Sequence, residues 1–131
     1  MINIDTHTHV RGESLYLDDI PELQGTLYAA VFGAPVAHAK IISLELDEAA
    51  AMPGVHRIFT YKDIPGINQI GGIVADEPLF AQHEIHFNGM PIALVVADTV
   101  ELAKSAIKKI KLETEALPVI TDPRIAKEKG L

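Results

Sequence analysis

The sequence predicts an α+β domain: a mixed sheet or a partly barrel-like β structure, with two main helices, a short one near 48–52 and a long one near 99–110. Three observations carry that prediction. Strand-like and helix-like segments are interspersed along the chain, with no repeat, low-complexity stretch or dividing linker. The stretch from Pro91 onward reads strand, helix, strand, each with its own periodicity. The third is size and composition: 131 residues, 48% hydrophobic and 22% charged, suit a single core and lie away from disordered sequences.

Residues 26–33 are rich in β-formers and end at Gly33-Ala34-Pro35, where proline removes a ladder donor. Residues 40–46 form a second strand, with Ile42, Leu44 and Leu46 on one side and Lys40, Ser43 and Glu45 near or on the other. Asp47 follows as an N-cap whose carboxylate accepts from the free amides of 48–52, a helix of one to two turns stopped by Pro53-Gly54. Glycine there suits the left-handed position that closes a helix, and residues 55–61 form the next strand. Pro65-Gly66 fits the middle of a type II turn, with Asn68 bonding nearby backbone.

Residues 91–97 are a near-continuous apolar run, as in a strand covered on both faces. Asp98-Thr99-Val100-Glu101 then reads as an N-cap with an acid three residues on. In the helix that follows, Leu102, Ala106 and Ile110, flanked by Ala103 and Ile107, make one apolar stripe. Glu101, Lys104, Ser105, Lys108 and Lys109 face water, and the late lysines complement the helix dipole. Residues 112–117 alternate as a strand ended by Pro118. A strand–helix–strand crossover places its two strands parallel or in one mixed sheet. Asp122-Pro123 opens a short helical tail.

Composition excludes several function classes. With 18 acidic against 11 basic residues the net charge is −7, which repels phosphate backbones and anionic lipid, so no nucleic acid is expected as partner. The longest apolar stretches fall far short of the ~20 residues of a membrane span, so no membrane is expected either. The N-terminus lacks the basic and apolar regions of a secretory signal. Zero cysteine removes disulfides, thiolate zinc, iron–sulfur ligation and cysteine nucleophiles, and fits a reducing compartment. A cytoplasmic location is expected.

The six histidines and 18 carboxylates offer few clusters. His7 and His9 share one face of an extended segment, and His83 and His86 are three apart. Either pair supplies two metal ligands, but a catalytic zinc takes three protein ligands and no third is marked, so solvated histidines are the reading. His38, between alanines and with no nucleophile near it in sequence, reads as a packed or hydrogen-bonded structural residue rather than a general base. Asp18-Asp19 point to opposite faces if extended, so turn formation before Ile20-Pro21 is the better account. Gly71-Gly72 lacks the Lys-Ser/Thr of a P-loop and is read as a flexible turn. Glu113 and Glu115 lie on one strand face, which solvent exposure explains. No catalytic, cofactor-binding or metal-binding residue is assigned.

Function therefore rests on motifs: Gly12-Glu13-Ser14, Asp18-Asp19-Ile20-Pro21, Ala37-His38-Ala39, Pro53-Gly54-Val55, Asp63-Ile64-Pro65-Gly66-Ile67-Asn68, Asp76-Glu77-Pro78-Leu79-Phe80-Ala81 and Leu117-Pro118. With these, residues 10–126 resemble the N-terminal α/β-hammerhead domain of the molybdenum-binding (large) subunit in the xanthine dehydrogenase and aldehyde oxidase family. Residues 76–81 followed by Ile85, Phe87 and Gly89 look more like the xanthine dehydrogenase branch. Met90 departs from the glutamine that members often carry after that glycine. Residues 1–9 are then an N-terminal extension and 127–131 the start of an interdomain linker, as in an excised domain or a fragment.

The resemblance implies a parent oxidoreductase, most simply a xanthine dehydrogenase of purine metabolism, that hydroxylates a purine such as xanthine to urate and passes electrons to NAD. It implies molybdopterin-bound molybdenum, 2Fe-2S and FAD in that parent and none bound by this chain. The implied partners are the remaining domains of the molybdenum-binding subunit and the iron–sulfur and FAD domains or subunits, in an oligomeric enzyme. The chain itself is expected to be a structural and interface domain. The alternatives are a stand-alone binding or assembly module with the same fold, an aldehyde oxidase-type parent, and a small hydrolase or metal-binding protein using His7, His9, His83 or His86.

Overall fold

The computed structural model describes residues 5–130. Two three-stranded antiparallel sheets form the domain. The first has strand order β1 (Tyr28–Gly33), β5 (Pro91–Ala97), β3 (Val55–Phe59). The second has order β4 (Glu84–Ile85), β2 (Ala39–Glu45), β6 (Lys111–Ala116). Four helices accompany them: α1 (Thr6–Arg11), the single turn α2 (Asp47–Ala50), α3 (Val100–Ile107) and α4 (Pro123–Glu128). Among the described residues no helix is long and apolar enough to cross a membrane.

The predicted crossover within one sheet is not formed. The strands on either side of α3, β5 and β6, belong to different sheets and are not parallel neighbours. Both edges of β5 are already taken, by β1 and β3, so β6 pairs with β2 instead.

Helix α3 lies across β1 and β5. Ala103 and Ala106 are fully buried at that contact and Ile110 nearly so, as the apolar stripe requires. Its cap, however, is Thr99, whose Oγ1 accepts from the Leu102 amide at 3.1 Å. Asp98, the expected cap, stays one residue outside and takes the His56 ring at 2.6 Å. The helix ends at Ile107, short of 110. Asp47 is likewise inside α2 rather than capping it: the Leu46 carbonyl accepts from Ala50 at 2.8 Å, which starts the helix one residue early. Gly54 adopts φ 83°, the left-handed closure expected after Pro53. Gly66 has no positive φ, so Pro65-Gly66 is not a type II turn.

In β2 the pairing with β6 skips a residue between Ile41 and Ser43. Ile42 is the extra residue of a bulge, 56% exposed, while Ile41 and Leu44 turn to the core. The expected Ile42–Leu44–Leu46 face is broken for that reason.

Buried residues gather into two clusters. Ile85, Met90, Ile92, Ala34 and Ala81 form one; Val95, Ala93, Ala49, Ala106 and Ile110 form the other. Phe32 and Leu44 touch both and join them. Gly33 sits where β1 meets the 86–90 turn, since a Cβ there would lie 3.0 Å from the Gly89 carbonyl oxygen. No residue of 5–27 is buried.

Candidate functional site

Strand β5 is fully covered on one face and partly on the other, where Ile92 is buried. Ala93, Val95 and Ala97 are buried, while Leu94 and Val96 on the opposite face are half-buried. The near-continuous apolar run implied cover on both sides, and on this face the cover is partial. Antiparallel register sets Val31 of β1 and Phe59 of β3 on either side of Leu94, which makes an apolar row across the sheet. Ile64, Pro65, Leu79 and Phe80 extend it into an open groove of about 510 Å³. The ionisable residue in its lining is Asp63, whose carboxylate is already engaged by the Thr60 amide at 2.9 Å and Arg57 at 3.1 Å. Both bonds hold that carboxyl below its ordinary pKa, the backbone amide most of all. The groove therefore has the chemistry of an apolar docking surface rather than of a reaction centre.

Further apolar side chains stand in solvent on two segments, Leu15, Leu17 and Leu23 before β1, and Ile67, Ile70, Ile73 and Val74 between β3 and β4. The second segment is pinned to the groove by Asn68, whose side chain bonds both backbone groups of Phe80.

A second locus gathers polar groups at the other sheet. Strand β2 is its central strand, with Ala39 opposite Ile85 of β4 and Ala116 of β6. Continued by one residue, that register brings His38 opposite His86, with ring centroids 6.4 Å apart. Glu84 is diagonal to His38, and its Oε1 lies 2.8 Å from His38 Nε2 and 3.6 Å from His86 Nδ1. His38 Nδ1 is 2.6 Å from the Pro118 carbonyl, which can only accept, so Nδ1 carries the proton. The Pro118 bond chiefly, then Glu84, raises the His38 pKa; the bond to His38 lowers that of Glu84. His38, His86 and Pro118 border an open pocket of about 480 Å³ that Phe87, Asn88, Val119 and Thr121 also line.

The sequence-flagged residues separate accordingly. His38 is hydrogen-bonded as expected. His83 and His86 part company: His83 tilts against Tyr61 at 6.4 Å, and His86 joins His38. Residues 6–11 are helical rather than extended, so two residues' spacing carries His7 and His9 to different sides; His9 bonds Ser14 at 2.6 Å. Leu17–Asp19 form a 3₁₀ turn, and Asp19 accepts from the Tyr16 amide at 2.9 Å. Gly71 takes the Gln69 side-chain oxygen at 2.6 Å within a bend. Glu113 and Glu115 are exposed, as read. Glu84 was missed; its signal was Glu-Ile-His in an extended segment, which sets Glu84 and His86 on one face.

Of the groups the resemblance implies for the parent enzyme, an iron–sulfur cluster does not fit the residues present. Without cysteine there is no thiolate for an iron–sulfur cluster. Among the described residues every buried side-chain nitrogen and oxygen has a hydrogen-bond partner.

Comparison with known proteins adds what geometry does not. Residues 11–118 match the family described as aldehyde oxidase and xanthine dehydrogenase, a/b hammerhead domain. Xanthine dehydrogenase 1 of Arabidopsis thaliana is 42% identical over 119 residues, which are 91% of this chain and 9% of that protein. The reconstituted CO dehydrogenase from Oligotropha carboxidovorans superposes with a TM-score of 0.83 at 28% identity, over 96% of this chain and 16% of that one. The aldehyde oxidoreductase from Desulfovibrio gigas does so at 0.77 and 34% identity, over 88% and 14%. The chain thus spans a small part of the length of the relatives it matches.

Proposed function

Because the chain belongs to the aldehyde oxidase and xanthine dehydrogenase family, matching its a/b hammerhead domain, we propose that it serves as a structural and interface domain of a molybdenum hydroxylase of the xanthine dehydrogenase type. The observation that carries this reading is the Val31–Leu94–Phe59 row: a sheet face with the composition of a core that the described residues cover only in part. An antiparallel sheet can leave one face to water, but that face is then normally polar, whereas here it carries Val31, Leu94 and Phe59. The rest of the enzyme is the natural cover, since the chain accounts for 9% of the length of its Arabidopsis relative.

In this reading the parent enzyme hydroxylates a purine such as xanthine to urate and passes the electrons to NAD. The molybdopterin-bound molybdenum, 2Fe-2S and FAD that supply this chemistry belong to other domains or subunits. The residues of this chain contribute shape and contact area, and the chain alone is not catalytic. Its frequent likeness to proteins named xanthine dehydrogenase supports that branch over an aldehyde oxidase-type parent.

Capture of the native complex from source cells with an antibody to this chain, followed by peptide mapping, tests the reading. The expected result is peptides continuous with the chain beyond residue 131, or co-purifying molybdenum, iron–sulfur and flavin subunits. A free polypeptide without those partners, or a purified chain that oxidises xanthine by itself, overturns it.

A further inference from the structure

We propose that His38 Nε2, the Glu84 carboxylate and His86 Nδ1 form a binding site for a divalent cation of the zinc class, with the remaining coordination position open to the pocket beside Pro118. The inference goes beyond the interface role and does not rest on it. It also departs from the sequence expectation, which placed no metal ligand in the chain.

The donor set suits the ion. Two imidazoles and one carboxylate are the ligands a zinc centre takes when it keeps a position free for water. The ligand atoms of all three residues lie within 4.8 Å of one another. With metal–ligand bonds of about 2.0–2.1 Å, a tetrahedral site sets its ligand atoms roughly 3.3 Å apart. The His86–Glu84 separation of 3.6 Å is already close to that, and the His38–Glu84 separation of 2.8 Å has to open slightly. Glu84 and His86 have side chains 38% and 55% exposed, so rotation about their own bonds supplies the adjustment without moving the sheet.

His38 is also prepared for the role. Its Nδ1–H is committed to the Pro118 carbonyl, which fixes the ring orientation and leaves Nε2 as the nitrogen that faces Glu84. Metal-bound histidines are held in this manner, by a backbone carbonyl on the nitrogen away from the metal. In neutral His38, Nε2 carries a lone pair aimed at a carboxylate oxygen 2.8 Å away, and a cation between the two satisfies both. Lys40, opposite Glu84 in the register, is the nearby positive charge that opposes binding. Its exposed, flexible stem lets the ammonium turn to solvent.

The test is calorimetric titration of the purified 131-residue chain with zinc chloride near neutral pH, paired with cobalt(II) and its visible absorption as a geometry probe. One equivalent of zinc is expected, with a fourfold-coordinate cobalt spectrum. His86→Ala and Glu84→Gln, both at half-exposed positions, each weaken binding at least about tenfold, and His83→Ala leaves it unchanged. Circular dichroism shows that the variants remain folded, so a lost signal is read as a lost ligand. Absence of saturable zinc binding overturns the proposal, and so does binding that His86→Ala does not weaken, because the ion then sits on other histidines.

Discussion

The side chain of Asn68 closes a two-bond ring with the backbone of Phe80: its Nδ2 donates to the Phe80 carbonyl at 2.7 Å and its Oδ1 accepts from the Phe80 amide at 3.0 Å. Twelve residues apart, they are held as a pair of strand neighbours would be, without a strand. The bond fastens the exposed 67–79 segment to the edge of the apolar groove. Asn68→Ala leaves both Phe80 groups without this partner, and the expected loss is about 1–2 kcal/mol, read as a lower denaturant midpoint with an unchanged slope. Faster amide exchange confined to residues 67–80 should accompany it.

Gly54 is expected to resist substitution. At φ 83° an alanine bears the left-handed backbone penalty of roughly 1–2 kcal/mol. Its Cβ would also lie 2.6 Å from Leu102 Cδ2 and 2.7 Å from Asp98 Oδ2. Both are side-chain ends that can swing away, so the backbone term dominates Gly54→Ala. Moving Asp98 breaks its bond to His56, which histidine NMR shifts will report.

Asp63 should make stability depend on acid. Its folded pKa lies below the ordinary value of 3.8, chiefly through the Thr60 amide and then Arg57. A depressed carboxyl stabilises the fold above its unfolded pKa and loses that contribution as pH falls through the folded pKa. Thermal midpoints of the native chain should therefore fall below about pH 4, and Asp63→Asn should show a shallower fall over the same window with lower stability near neutrality. Parallel curves for the two proteins contradict this assignment.

Leu79 tests the groove as an interface. It is 40% exposed on a segment outside any strand, so Leu79→Glu should change stability by no more than about 0.5 kcal/mol. Placed among Val31, Leu94 and Phe59, the charge should loosen the docking of whatever covers this face in the native complex, read as faster amide exchange at those three residues. Lys108→Glu, on the solvent side of α3, serves as the control and should leave that exchange unchanged.

Short-range chemistry was legible residue by residue. The α3 stripe, the glycine closure at 54, the turn before Ile20 and the alternation of β6 each depend on neighbours within a few positions, and each is present. The expected caps at α2 and α3 were each off by one residue: Leu46 precedes α2 without a side-chain cap, and Thr99 rather than Asp98 caps α3.

By itself the sequence determined most of the elements, though not α1 or β4, together with the family and the absence of thiolate chemistry, since these follow from composition, periodicity and local motifs. Tertiary structure alone decided which strand edges were free, and hence that β6 left β5 for β2. It decided that Ile42 bulges outward, that one face of β5 stays partly open, and that His38 meets Glu84 and His86 across more than 40 residues of chain. Strand pairing is a competition among all edges at once, and no local window contains its result.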